Sequence, residues 1–186
     1  MSNRQLGFSI GTIFIIFFVA ILFGFTVVSF NPGIGIQLMN FLKNEIFIEV
    51  NDKSPLILFF KILLNNFEAC LIIFLGGVSL GAISILVISL NGIVIGGVIA
   101  TVRQEHGIFF MAAAILPHGI FEIPAFIISG ALGVSLAKEL WLEFKGAGDI
   151  AEAAQKLGIV FIKYVVPLIS IAAFIETFIT PYIITL

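Results

Sequence analysis

Charge is what this sequence has least of. Only 11% of its 186 residues are Asp, Glu, Lys or Arg, against 60% hydrophobic, whereas soluble domains run at roughly 25% charged and 45–50% apolar. So few charges cannot cover a water-facing surface, which excludes an ordinary soluble domain. A mean hydropathy of +1.22 points instead to a chain that lives in a bilayer. The net charge is −2 and no basic run stands out, so no nucleic-acid partner is indicated. A single cysteine, Cys70, leaves no disulfide framework within the chain. Histidine is nearly as scarce, with His106 and His118 the whole supply. A zinc-protease box of the form H-E-x-x-H needs two histidines one helical turn apart, and these two do not supply it.

What is abundant is apolar sequence in long runs. Residues 6–30, LGFSIGTIFIIFFVAILFGFTVVSF, carry no charge and exceed the roughly 20 residues that cross about 30 Å of hydrocarbon. The run is longer than a signal-peptide core and no small-residue cleavage pattern follows it, so it is expected to be a retained span. Asn31-Pro32-Gly33 ends it. Residues 34–54 mix apolar and charged positions, as an amphipathic helix on the membrane surface or packed on the bundle would.

From Pro55 to Val102 the apolar sequence is too long for one crossing. Divided at Gly76-Gly77, it gives spans 56–75 and 78–102. A second partition puts 56–66 at the interface, crosses with 67–90 and breaks at Asn91-Gly92. A further span covers 108–134. The charged segment 138–156 follows, with the sole tryptophan, Trp141, suited to the headgroup level. The last span is 157–184. With five spans and a cytoplasmic N-terminus, Arg4, Lys138, Lys145 and Lys156 lie inside, and Lys43, Lys53 and Arg103 outside, as the positive-inside rule prefers. Four spans with the N-terminus outside would also satisfy the rule. The reading is an all-α polytopic transmembrane helix bundle in the cell membrane. It forms one integral domain over 1–186 of about five spans, with broken or kinked helices and interfacial segments at 34–54 and 138–156.

Glycines recur at helical spacing as Gly7/Gly11, Gly77/Gly81 and Gly92/Gly96. Such pairs let helix backbones approach closely in lipid, where no hydrophobic drive pulls helices together. They are expected to pack helices within the chain first and across a homodimer second.

The polar residues inside the apolar runs are Asn65, Asn66, Glu68, Asn91, His118, Glu122 and Glu176. An ionisable group at the bilayer centre costs about 2.5–3.5 kcal/mol on insertion scales, so it is expected to face protein or water. The stretch LPHGIFEIP, 116–124, is the densest case. His118 and Glu122 stand four apart, on one helical face, and Pro117 and Pro124 remove backbone donors on either side. Three readings apply: a hydrogen-bonded cluster that fixes packing, a proton or cation path or divalent-metal site at His118 and Glu122, and, least supported, intramembrane catalysis. Glu176 in AAFIETFITPYI repeats the arrangement, with Pro181 five residues on. Glu68, Glu122, Glu176 and His118 are expected to approach one another, with Asn66 and Asn91 as polar neighbours.

Three blocks together resemble one family. They are LNNFEACLIIFLGGVSLGAISILVISLNGIVIGGV (64–98), PHGIFEIPAFIISGALG (117–133) and AAFIETFITPYI (172–183). They are similar, in the same order, to the stage II sporulation protein M-related integral membrane proteins. The resemblance marks Asn66, Gly77, Gly81, Asn91, Gly92, His118, Gly119, Glu122 and Glu176. It implies a multipass helical protein of about five spans. In endospore-forming bacteria the family's namesake works in a membrane complex with peptidoglycan-degrading partners during engulfment. The implied role is a non-enzymatic scaffold or assembly component, partnered by the bilayer and by a second copy or other membrane proteins. The residues themselves keep open a small transporter or channel for a proton, metal ion or small solute. A divalent metal at His118 and Glu122 is the one cofactor they suit.

Overall fold

A computed structural model describes residues 3–47 and 54–185; among them no strand occurs, and the protein is an all-α helical bundle. The close of the expected interfacial segment, 48–53, lies outside the described residues. So do Lys53 and the side chain of Arg4, on which part of the charge argument rests.

Proline and glycine punctuate the helices. Helix α1 (Asn3–Phe30) stops at Asn31, and Pro32 opens α2 (Pro32–Phe47). Pro55 likewise opens α3 (Pro55–Leu75) after an extended Ser54. At the first helical position a proline loses nothing, because that N–H would be unpaired anyway. After α3 comes a 3-10 turn, Gly76–Ser79. Leu80 and Gly81 then take left-handed conformations, φ 55° and 85°, and start the chain into α4 (Ala82–Phe144).

Helix α4 is not one rod. At Gly107 the backbone sits at φ 85°, ψ 171°, a region that essentially only glycine occupies. The two arms, 82–106 and 108–144, run antiparallel. Gly130 stands against Ile88 and Gly133 against Ser84, while Val94 and Val98 share a cavity with Glu122 and His118.

Beyond Phe144 a short turn passes Gly146, at φ 71°, to Asp149. The Asp149 carboxylate accepts the N–H of Glu152 at 2.9 Å and caps the last rod. That rod comprises α5 (Ile150–Val160), α6 (Val166–Phe174) and α7 (Thr180–Ile183), joined by π-helical turns at Phe161–Val165 and Ile175–Ile179. Each π turn ends two residues before a proline, Pro167 or Pro181. A proline ring clashes with the carbonyl four residues back, and widening the helix by one residue relieves that clash. The stretch 138–156 is thus shared between the end of α4, the turn and the start of α5.

Gly7–Phe30, Pro55–Ser79, Ala82–Phe144 and Ile150–Ile183 are each long and apolar enough to cross a membrane. Because Gly107 folds the third back on itself, five rods stand side by side. Their common core includes Ile13, Phe17, Ile73, Ile88, Phe126 and Ile169, each essentially inaccessible. The outer surface is apolar too: Phe14, Phe18 and Phe23 of α1 are 52%, 50% and 58% exposed. In water such a face would be an aggregation liability; in hydrocarbon it is an ordinary exterior.

Candidate intramembrane polar site

The second arm of α4 carries His118 and Glu122 on one face and stays helical past both prolines. Pro117 offers no N–H to the carbonyl of Ala113, and Pro124 none to that of Ile120, so this stretch is short of backbone donors. Between the two arms lies a cavity of about 100 Å³. Val94, Ile95 and Val98 form its wall on the first arm, and Ile115, His118 and Glu122 on the second. The volume has room for water, but only the histidine and the glutamate give it polar walls. Nδ1 of His118 is buried without a hydrogen-bond partner.

Glu176, from the last rod, comes close enough to Glu122 to act on it electrostatically. Cys70 of α3 lies beside Ser129 and also feels Glu122. Glu176 sits in the π turn Ile175–Ile179. Its neighbours Thr177 and Thr180 are buried, and neither hydroxyl has a partner. His118 and Glu122 thus share one cavity wall, and the last rod brings Glu176 within electrostatic reach of Glu122; the two buried threonines are not singled out by the sequence reading. Their signal was the spacing T-x-x-T-P beside a lone glutamate.

Other expected members stand elsewhere. Glu68 lies on an exposed face of α3. Asn66 is buried, and its Oδ1 accepts from Nδ2 of Asn65 at 3.5 Å. Asn91 donates from Nδ2 to the carbonyl of Val87 at 2.9 Å, within its own helix. The helix break considered at Asn91-Gly92 is absent. Asn91 satisfies itself one turn back, and Gly92 is used for close approach, since a β-carbon there would strike Ala20 and the Phe17 carbonyl of α1. Gly96 faces the Ile21 carbonyl in the same seam, and Gly77 faces the Gly133 carbonyl and Leu136. Gly81 serves its turn through φ 85°, whereas Gly7 and Gly11 face open space.

Among the described residues no group of three His, Cys, Asp or Glu side chains converges as a metal site would require. His118 and Glu122 offer two such donors, so a metal held there would need ligands of another kind.

One pattern overlooked in reading the sequence is Gly77-Val78-Ser79-Leu80-Gly81, a literal G-x-S-x-G. That motif signals a nucleophile only in a strand–turn–helix setting with a histidine at hand. Here it joins two helices. The Ser79 hydroxyl donates to the Gly76 carbonyl at 2.6 Å and accepts the N–H of Ile83 at 2.9 Å, which caps α4.

A larger cleft, about 420 Å³, lies at the 145–149 turn and is lined by Glu139, Asp149, Glu152 and Lys156 among others. Asp149 is occupied as a cap, and Glu152 pairs with Lys156 at 2.6 Å. These are the solvated head of a helical hairpin rather than a convergent site.

Comparison with known proteins bears on the same segment. The profile of the family described as Stage II sporulation protein M matches residues 13–181, which include every polar residue of the site. An uncharacterized protein of Methanocaldococcus jannaschii is 32% identical over 130 residues, covering 67% of this chain and 72% of that protein. No solved structure matches. On the extent of the profile match, the chain belongs to the stage II sporulation protein M family.

Proposed function

We propose that this protein is a non-enzymatic integral membrane scaffold, a component that holds a larger membrane assembly together. It crosses the bilayer five times, N-terminus inside, and presents apolar helices to a second copy or to other membrane proteins. The observation that carries this reading is how tightly the interior is closed. Glycines bring α1 against the first arm of α4, and α3 against the second, so closely that a β-carbon at Gly24, Gly96 or Gly133 would strike a backbone carbonyl. A bundle packed on backbone contacts suits a fixed platform better than a carrier that must rock between states. The test is cross-linking in native membranes followed by purification in detergent. A defined oligomer or stoichiometric complex is expected; recovery of the monomer alone would sink the reading.

A second reading rests on the cavity beside His118 and Glu122, a wet spot on a proton or cation path. It predicts flux across liposomes that is abolished in His118→Ala and Glu122→Gln. Flux that is absent, or equal in wild type and both variants, removes the pair from any transport role.

A further inference from the structure

The outward face of α3 is polar at a depth where hydrocarbon surrounds it. At roughly 1.5 Å per residue, α3 is about as long as the hydrocarbon is thick. Glu68 lies about 10 Å from its Leu75 end and about 20 Å from its Pro55 end, with Asn65 nearer the middle. Both side chains are exposed. The face of α3 turned to the bundle is a different one, carrying Ile62, Asn66, Cys70 and Ile73, all buried. On the opposite side Ile57, Leu64, Asn65, Glu68, Ile72 and Leu75 recur at helical spacing and form one stripe. Leu64, Ile72 and Leu75 are 56%, 49% and 48% exposed.

The polar groups of that stripe are left with open valences. Nδ2 of Asn65 turns one of its two N–H groups to Oδ1 of Asn66, at 3.5 Å. Among the described residues its other N–H and its carbonyl oxygen have no partner, and no hydrogen bond or ion pair reaches the Glu68 carboxylate. Hydrocarbon supplies neither donor nor acceptor, and ionisable groups at this depth belong against protein or water. The stripe itself indicates which protein. Asn65 brings a donor and Glu68, one helical turn on, an acceptor, so the stripe complements a copy of itself. Two copies of one chain share a topology. A two-fold axis along the membrane normal therefore sets their α3 helices side by side, parallel and at equal depth. Each Asn65 then stands one turn from the other copy's Glu68, and two hydrogen bonds form reciprocally. Leu64, Ile72 and Leu75 pack above and below them.

We propose that this stripe of α3 is an intramembrane interface for a second copy of the chain, closed by reciprocal hydrogen bonds from Asn65 to Glu68. It rests on the scaffold reading and names the surface on which that reading's oligomer forms.

Disulfide cross-linking of the full chain in native membranes, in a Cys70→Ser background, tests it. Leu64→Cys, on the stripe, should give a covalent homodimer on mild oxidation. Phe18→Cys, on the outer face of α1, should not. Asn65→Leu combined with Glu68→Leu should lower the cross-linked fraction and weaken the dimer in lipid about tenfold, the worth of two intramembrane hydrogen bonds. Glu68→Gln keeps an acceptor and should dimerise nearly as wild type. If the leucine pair does not fold, Asn65→Ala alone makes the comparison. Leu64→Cys that stays single, or that joins a chain of another mass, would overturn the proposal. So would homodimers from Phe18→Cys in place of Leu64→Cys, or a leucine pair that dimerises as well as wild type. The scaffold reading survives each of these results while the wild type is still recovered as an oligomer or complex. Recovery of wild-type monomer alone removes both.

Discussion

Single residues divide sharply by what surrounds them. Gly96 and Gly11 look alike in the sequence, each half of a small-xxx-small pair. A β-carbon on Gly96 would collide with the Ile21 carbonyl of α1, while one on Gly11 meets nothing within 4 Å. Overpacking a tight contact costs about 1–3 kcal/mol, so Gly96→Val should lose about that much. Gly11→Ala in an open helix position should gain up to about 1 kcal/mol from helix propensity. Thermal or denaturant unfolding in detergent checks both. If Gly11→Ala instead destabilises the protein and lowers its oligomeric state, Gly7 and Gly11 form an interface between copies. The sequence revealed which residues were small and which were polar. It could not reveal which small residues had neighbours, because that depends on the rotation of each rod. The same limit explains Glu68 and Glu176, lone carboxylates in apolar runs that end in different surroundings: one exposed on α3, the other half-buried and within electrostatic reach of Glu122.

Helices and turns were legible where breakers stand in the chain. Asn31-Pro32-Gly33 and Gly76-Gly77 fall at real junctions. Asn91-Gly92 carries the same kind of signal yet lies within an unbroken helix, since its neighbours satisfy the asparagine and exploit the glycine. The polar stretch RQEHG, 103–107, lies between the expected spans 78–102 and 108–134, but nothing in it shows how short the reversal is. Helix continues to either side, and one glycine makes the reversal. At φ 85°, ψ 171°, a side chain on Gly107 carries a backbone cost of about 1–3 kcal/mol. Gly107→Ala should therefore destabilise by that order although nothing crowds the site. The converse applies at Leu80, a non-glycine at φ 55°. Leu80→Gly should stabilise, by about 1 kcal/mol, from relief of left-handed backbone strain. Equilibrium unfolding of the two variants reads both signs; unchanged stability in both would show that neither turn limits it. The π turns were not legible at all, because they register a clash between each proline and the helix behind it rather than a residue type.

At the scale of the molecule, five rods place the Gly107 turn and the 145–149 turn at opposite ends of the second arm. In a Cys70→Ser background, Glu105→Cys and Ala147→Cys should react with a membrane-impermeant thiol reagent from opposite sides of an intact membrane, Ala147→Cys from the cytoplasmic one. Labelling of both from one side would refute the five-crossing arrangement. Composition was enough to assign the medium and the fold class, because hydrocarbon permits so few alternatives. It does not by itself bring Glu176 toward Glu122; that expectation comes from lone carboxylates beside prolines in apolar runs, and it requires two helices distant in sequence to lie at one depth.

The length of that second arm has a consequence of its own. Residues 108–144 at about 1.5 Å each make a rod of roughly 55 Å, while the hydrocarbon is about 30 Å thick. Its Gly107 end begins with Ile108 and Phe109, 58% and 88% exposed, which belong at or below the headgroups. The excess must therefore emerge at the other end, where Lys138, Glu139, Glu143 and Lys145 lie. The last helical turns of α4, together with α5, form a stalk that lifts the 145–149 turn clear of the lipid. A soluble protein approaching this face touches that handle before it touches the membrane.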